Sequence, residues 1–520
     1  MVKGAKYGSI PSNGTDASPV SDARGRTANW KRVMGIITKL VLVGSVVVLL
    51  IIWRHRTSVP PHAKLSGDLS KAGINIDDPA TPHYFRQIVD HDQPESFGTF
   101  EQRYYVDKTY WKGPGRPIFV IFGGEGPLER ILYPFISVIL AQSFGAITYN
   151  LEHRYFGESY PVEKYTKHDI ATQLTPRQAL QDMITFIQAK QKDLGCGPRG
   201  SAKYCPVMTV GGSYAGLLST LIRKAYPDVV DIAYAASPCL FLFGHMVTPY
   251  VYYEHVTEIA ERISSGCKEA VQRSMHDIQS DLESISSRRQ LGKVAEKYGV
   301  CSDLPPHVKT GSDLANEIIL YTASQFISDN MDYYPPSPDQ KFFRGCSIFK
   351  EDDKPLEDRV REYMVMSTGS DECYNISPAD WTPDDASWDV LCCYLAPMIG
   401  KSNDTMWPEA PYDLESDVES CRKKWGIDLD PSYLDKEFGL ADLTDVTRLI
   451  LTNGYNDGWF PLSYHEPMPD ADGIVIYNME SGAHHSDLTH QLQADTPDVE
   501  LVHSQISVQI GEWLDEIRHE

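Results

Sequence analysis

Three short stretches hold residue types that together could carry out nucleophilic chemistry. The first runs from Val207 to Val210 into Gly211-Gly212-Ser213-Tyr214-Ala215-Gly216, and an amphipathic run with Leu217, Leu218, Leu221 and Ile222 follows. Strand, tight turn and helix in that order is the layout of a nucleophile elbow, whose small neighbours let a serine hydroxyl stand clear of a sheet. A helix starting at Tyr214 would aim its first amides and its positive dipole end at the same place. The second stretch is Asn453-Gly454-Tyr455-Asn456-Asp457-Gly458-Trp459, and the third is Gly482-Ala483-His484-His485. A serine hydroxyl is a poor nucleophile until a neutral imidazole takes its proton, and a buried carboxylate must hold that imidazole's tautomer. The first and third stretches also have plain alternatives: a glycine-rich turn, and a pair of histidines that is structural or an accidental metal site. Spacing alone does not choose between His484 and His485.

The elements around these stretches decide whether they could meet. Residues 84–91 and 99–106 are rich in aromatic and β-branched residues and read as an antiparallel strand pair. Residues 117–122 form a continuous apolar run, as in a strand buried on both faces. That run ends in Gly123-Gly124-Glu125-Gly126, which is either a plain turn or the source of a second oxyanion amide. Another apolar strand, 146–151, leads into Glu152-His153-Arg154, read here as a structural ion-pair network in preference to a ligand rim. Thr175-Pro176-Arg177-Gln178 starts a helix. Strands are expected again at 207–210, 231–236, 446–452 and 473–477, and a closing helix carries Val502, Ile506, Ile510, Trp513 and Ile517 on one face. Alternating strands and helices predict a parallel sheet of α/β class. Ser213, Asp457 and His484 each follow a predicted strand, in the chain order of the triad on an α/β-hydrolase sheet.

Between the elbow and the acid lies a different texture. Residues 250–300 and 312–328 have helical periodicity, whereas 330–440 read as Pro/Asp/Trp-rich loops. The expected organisation is a first sheet segment over 81–240, a helical, disulfide-containing cap over 241–440, and a second sheet segment over 441–520.

The N-terminus differs again. Residues 1–32 are Gly/Ser/Pro-rich and read as a disordered cytosolic tail. Residues 33–53 are mostly apolar and carry no charge except Lys39, the length of one membrane span, and 54–80 read as a stalk. Basic residues cluster before this segment and no small-residue cleavage pattern follows it, which favours an uncleaved signal anchor with the body lumenal or extracellular. All ten cysteines lie in the body, an even number that favours disulfides in that compartment; Cys196 and Cys205 are the expected local pair. Asn375 and Asn403 begin glycosylation sequons. No metal-site spacing and no cofactor motif stand out. The net charge is −23, and beyond the basic residues 1–56 the body holds 39 basic against 69 acidic residues, which argues against a nucleic-acid partner. Oligomeric state is unread, with a homodimer left open.

Taken together, 84–91 with 100–105, 123–126, 151–159, 211–216, 453–459 and 482–488 resemble the serine peptidase group of lysosomal Pro-Xaa carboxypeptidase, dipeptidyl-peptidase II and thymus-specific serine protease. The resemblance implies an α/β-hydrolase domain with a helical cap, no cofactor, and hydrolysis of short peptides after proline near a chain end. It implies Ser213 as nucleophile, Asp457 as acid and His484 as base. The amide of Tyr214 and the Gly123–Gly124 loop would form the oxyanion hole, with Glu125 and Trp459 as candidate substrate contacts. Gly458 stands where proline commonly follows the acid, and Ala215 where glycine is common. An esterase or another carboxypeptidase on this fold, or a silent membrane-tethered binding protein, are the competing readings.

Overall fold

Alternation along each apolar run decides what it packs against. Ile118, Val120 and Phe122 point into one hydrophobic cluster while Phe119 and Ile121 point into another, so this strand is covered on both faces. The computed structural model describes residues 81–162, 165–243, 246–301, 303–370, 373–376, 382–489 and 495–520. Among the described residues, eight strands form one sheet: β1 (His83–Ile88), β2 (Thr99–Asp107), β3 (Ile118–Phe122), β4 (Ile147–Leu151), β5 (Val207–Gly212), β6 (Ile232–Ala236), β7 (Leu449–Gly454) and β8 (Ile474–Met479). Their order is β1-β2-β4-β3-β5-β6-β7-β8. The pairs β1–β2 and β2–β4 are antiparallel, and the remaining pairs are parallel. This is the α/β-hydrolase arrangement, with β5 near the centre.

Helices Pro176–Asp193 and Tyr214–Ala225 cover one face of the sheet, and the closing helix Pro497–His519 covers the other. The first of these starts as its sequence predicts, with the Thr175 side chain accepting from the Gln178 amide at 3.2 Å. On the last, Val502, Ile506, Ile510, Trp513 and Ile517 are all buried.

Between β6 and β7 the described residues form helices and no strand of the sheet. Val251–Ile263, Cys267–Leu282 and Gly311–Met331 agree with the periodicity. The loops expected over 330–440 are corrected: Lys341–Phe349, Leu356–Thr368, Pro383–Leu395 and Leu414–Trp425 are helices. Leu414–Trp425 buries only Cys421, so it has almost no apolar stripe to reveal it. It is attached covalently through Cys393–Cys421 and by polar bonds from Lys424 and Trp425 to Asp389. Cys267–Cys346 and Cys301–Cys373 staple the same region, and Cys196–Cys205 forms as its spacing predicts. Cys239 and Cys392 remain free and buried.

The tail, anchor and stalk over 1–80 lie outside the described residues. Among the described residues, no helix is long and apolar enough to cross a membrane.

Candidate active site

The elbow is built where β5 ends. Gly212 pairs with Ala236 of β6, and the chain then reverses at Ser213, whose φ of 59° and ψ of −128° are a conformation that side chains rarely adopt. Holding a non-glycine residue there costs roughly 1–3 kcal/mol, which the surrounding packing must offset. The Ser213 amide donates to Ala236 O at 2.9 Å and the half-buried hydroxyl is left at the rim. Gly211 is required because a Cβ there would lie 2.0 Å from Ala215 O. Ala215 itself is buried without conflict, so its methyl is accommodated where the motif usually has glycine.

Asp457 lies three residues beyond the end of β7, and His484 five residues beyond the end of β8. His484 Nδ1 is 2.7 Å from Asp457 Oδ2, and both side chains are essentially excluded from solvent. Asp457 Oδ1 accepts from the Trp459 amide at 3.1 Å, which fixes the carboxylate's second oxygen. The neighbouring ring of His485 is 4.4 Å from that of His484 and approaches Gly212, where a Cβ would lie 2.9 Å from it. One further observation brings Ser213 to the same place. The Cys239 thiol is pushed well up by burial and by the charges of Asp457 and Glu125, and a hydrogen bond with the Ser213 side chain opposes this. Among the described residues no hydrogen bond joins Ser213 to His484 directly; such contacts commonly tighten only once substrate binds.

The oxyanion loop is partly corrected. The Gly123 amide donates to Leu151 O at 2.7 Å, continuing the β3–β4 ladder, so it is not available to an oxyanion. The Gly124 amide has no backbone acceptor among the described residues, and a Cβ there would meet nothing. Tyr214 supplies the first amide of its helix, a position without an intrahelical acceptor. Glu125 is half-buried next to both. Trp459 is 4% exposed, donates from Nε1 to Met331 Sδ at 3.2 Å and packs 4.2 Å from Tyr252. It therefore walls the acid loop instead of facing open space.

A protein-family model described as Serine carboxypeptidase S28 matches residues 87–506. The chain belongs to this family. Lysosomal Pro-X carboxypeptidase of Mus musculus is 26% identical over 456 residues, covering 83% of this chain and 90% of that protein. The Homo sapiens protein of the same name is 26% identical over 444 residues, covering 83% and 88%. A putative serine protease of Caenorhabditis elegans, pcp-1, is 25% identical over 484 residues, covering 84% and 83%. This S28 chain is a serine-type peptidase.

Behind the elbow of the S28 peptidase, Glu152, His153 and Arg154 form a buried network. Glu152 pairs with Arg103 at 2.5 Å and Arg154 with Asp182 at 2.5 Å. His153 Nε2 is 3.1 Å from the hydroxyl of Tyr214, and burial pushes this imidazole down to about 4, so it stays neutral. Its neighbours had marked it as structural, but its contact with the residue after Ser213 had no sequence signal. Cys239 was likewise missed, because a lone cysteine after a strand has no pattern. Cap residues that touch the acid and histidine loops were missed too. Arg262 donates to Asn456 Oδ1 at 2.7 Å, and the His484 amide donates to Met331 O at 3.2 Å.

Proposed function

We propose that this peptidase removes residues from short peptides after proline, close to a chain end, through an acyl-enzyme on Ser213. The observation that carries the reading is the buried 2.7 Å pair between His484 and Asp457, next to a serine held in an elbow conformation. In this mechanism His484 takes the Ser213 proton as Oγ attacks the scissile carbonyl, then returns it to the leaving amine. Asp457 holds Nδ1 protonated, so that Nε2 is the basic nitrogen, and stabilises the imidazolium. The Tyr214 amide and the Gly124 amide receive the developing oxyanion, in a site from which the cap excludes water. Water then attacks the acyl-enzyme with His484 acting again as base. Glu125, half-buried next to the elbow, is a candidate substrate contact. The names of the relatives favour release of the residue that follows proline at the carboxyl end.

The test is product analysis on a defined pentapeptide with internal proline, run in parallel with a simple acyl ester. Cleavage after proline, lost in Ser213→Ala, supports the reading; ester turnover without peptide cleavage would favour an esterase. No reaction of the folded protein with a fluorophosphonate would favour the silent binding protein. We also infer that segment 33–53 tethers the body on the lumenal or extracellular side. Four disulfides and the exposed sequon residues Asn375 and Asn403 suit an oxidising compartment. Resistance to alkaline carbonate extraction together with an endoglycosidase-sensitive mass would support this, and release into the carbonate supernatant would refute it.

A further inference from the structure

The acid loop is not held by the sheet alone. Helix Gly311–Met331 ends against it, and Asn330, in its last turn, is fully buried. Its side-chain amide spans the two peptides that flank Asp457. Oδ1 accepts from the Gly458 amide at 3.0 Å, and Nδ2 donates to Asn456 O at 2.8 Å. Both amide atoms are thus matched to a donor and an acceptor of one turn, which defines the orientation of the group. The next residue continues the contact, since Met331 O accepts from the His484 amide and Met331 Sδ from Trp459 Nε1.

Gly458 makes this arrangement feasible. A Cβ there would lie 2.6 Å from Val256 Cγ2 and 2.7 Å from Tyr252 Cε2, so helix Val251–Ile263 packs directly on the backbone. A proline would bring the same clash and would also lack the N–H that Asn330 accepts.

From these contacts we propose that Asn330 is a positioning residue for Asp457: this cap residue sets the acid's backbone through the two flanking peptides, and thereby the acid's distance to His484. The proposal rests on the triad reading above. Losing both bonds lets the turn relax, and a shift of about 1 Å in a catalytic group costs on the order of a hundredfold in rate. A carboxylate that moves away from His484 also stabilises the imidazolium less, so the acid limb of the labelling profile moves to lower pH.

The experiment measures the second-order rate of fluorophosphonate labelling against pH for the full chain, normalised to folded protein, with melting temperature recorded alongside. Asn330→Ala is expected to label about tenfold or more slowly, with the acid limb of its profile displaced to lower pH. Asn330→Asp supplies the conservative rescue and carries the test if the alanine variant does not fold. Its neutral carboxylic acid can accept from Gly458 and donate to Asn456, so labelling approaches wild type at acid pH. It then falls as that carboxyl ionises, a fall the wild type does not show. A variant with a lower melting temperature but an unchanged rate and unchanged acid limb per folded molecule would overturn the proposal and leave the triad standing. Failure of the triad reading has a different signature: wild type that does not label, or Ser213→Ala that labels as fast.

Discussion

His484 Nδ1 lies 2.7 Å from Asp457 Oδ2, although the two residues follow different strands, β8 and β7. In Asp457→Asn the loop geometry can survive, but the amide no longer selects the tautomer with a basic Nε2. The expected loss in kcat is about 10⁴-fold. Ser213→Ala should lose acyl-enzyme formation altogether, read as absence of fluorophosphonate labelling in a protein with an unchanged melting temperature.

His153 braces the Tyr214 ring from below, at 3.1 Å from its hydroxyl. His153→Phe keeps an aromatic ring there and leaves that hydroxyl buried without its partner, a cost of about 1–3 kcal/mol. Thermal or urea unfolding should show the loss. Because burial holds His153 near 4, replacing it should leave the pH dependence of labelling between pH 5 and 8 unchanged.

Arg154 is fully buried and bonds Asp182 through Nε at 2.7 Å and Nη2 at 2.5 Å. It also donates to the carbonyls of Ile88, Val89 and Gln173. Arg154→Met leaves the Asp182 carboxylate with His91 at 2.7 Å and Gln102 at 3.2 Å but without its guanidinium partner, and breaking a buried pair in this way typically costs about 3–5 kcal/mol. A soluble yield close to wild type with an unchanged urea midpoint would contradict this account. The double variant Arg154→Met/Asp182→Leu should recover part of the stability.

Asp329 gives the cap a pH dependence whose sign is opposite to that of an ion-paired acid. Burial raises its carboxyl to about 7; Lys341 and the hydrogen bonds from Tyr363 and Ser367 oppose that rise. The folded state thus keeps a proton that the unfolded chain releases near pH 4. Its contribution is fully present below that value and is lost as pH climbs through 7. The melting temperature should fall between pH 5 and pH 7.5, and Asp329→Asn should flatten that slope. A slope unchanged by the substitution would place its origin elsewhere.

Cys267 and Cys346 are 79 residues apart and join two cap helices. Replacing both with alanine frees a long loop in the unfolded chain, at a cost of about 2–5 kcal/mol. Refolding yield and urea midpoint report this directly.

How much of this was legible follows from what each residue needed from its neighbours in sequence. The elbow could be read because its demands are local: two glycines, a serine and small residues between a strand and a helix. The strands could be read because burial on both faces forces continuous apolar runs such as 118–122. Leu414–Trp425 could not, since a helix held by a disulfide and by the bonds of Lys424 and Trp425 to Asp389 needs little apolar face. Gly123 looked like an oxyanion donor from composition, and only pairing with Leu151 showed that its amide is engaged. Trp459 stood as a candidate substrate contact beside the acid, yet Tyr252 and Met331 enclose it. Asn330 is 127 residues from the acid it braces and belongs to no motif, so only the fold brings it there.

The grip of the helical insertion on the acid turn also bears on how such enzymes can be rebuilt. A chimera spliced near residues 240 and 440 would not simply acquire a new substrate selectivity. It would import a foreign counterpart of Asn330 and Met331, and with it a different seat for its own catalytic carboxylate. Exchange of whole insertions between relatives should therefore fail more often than exchange of single cleft residues, unless the 455–459 turn travels with the insert.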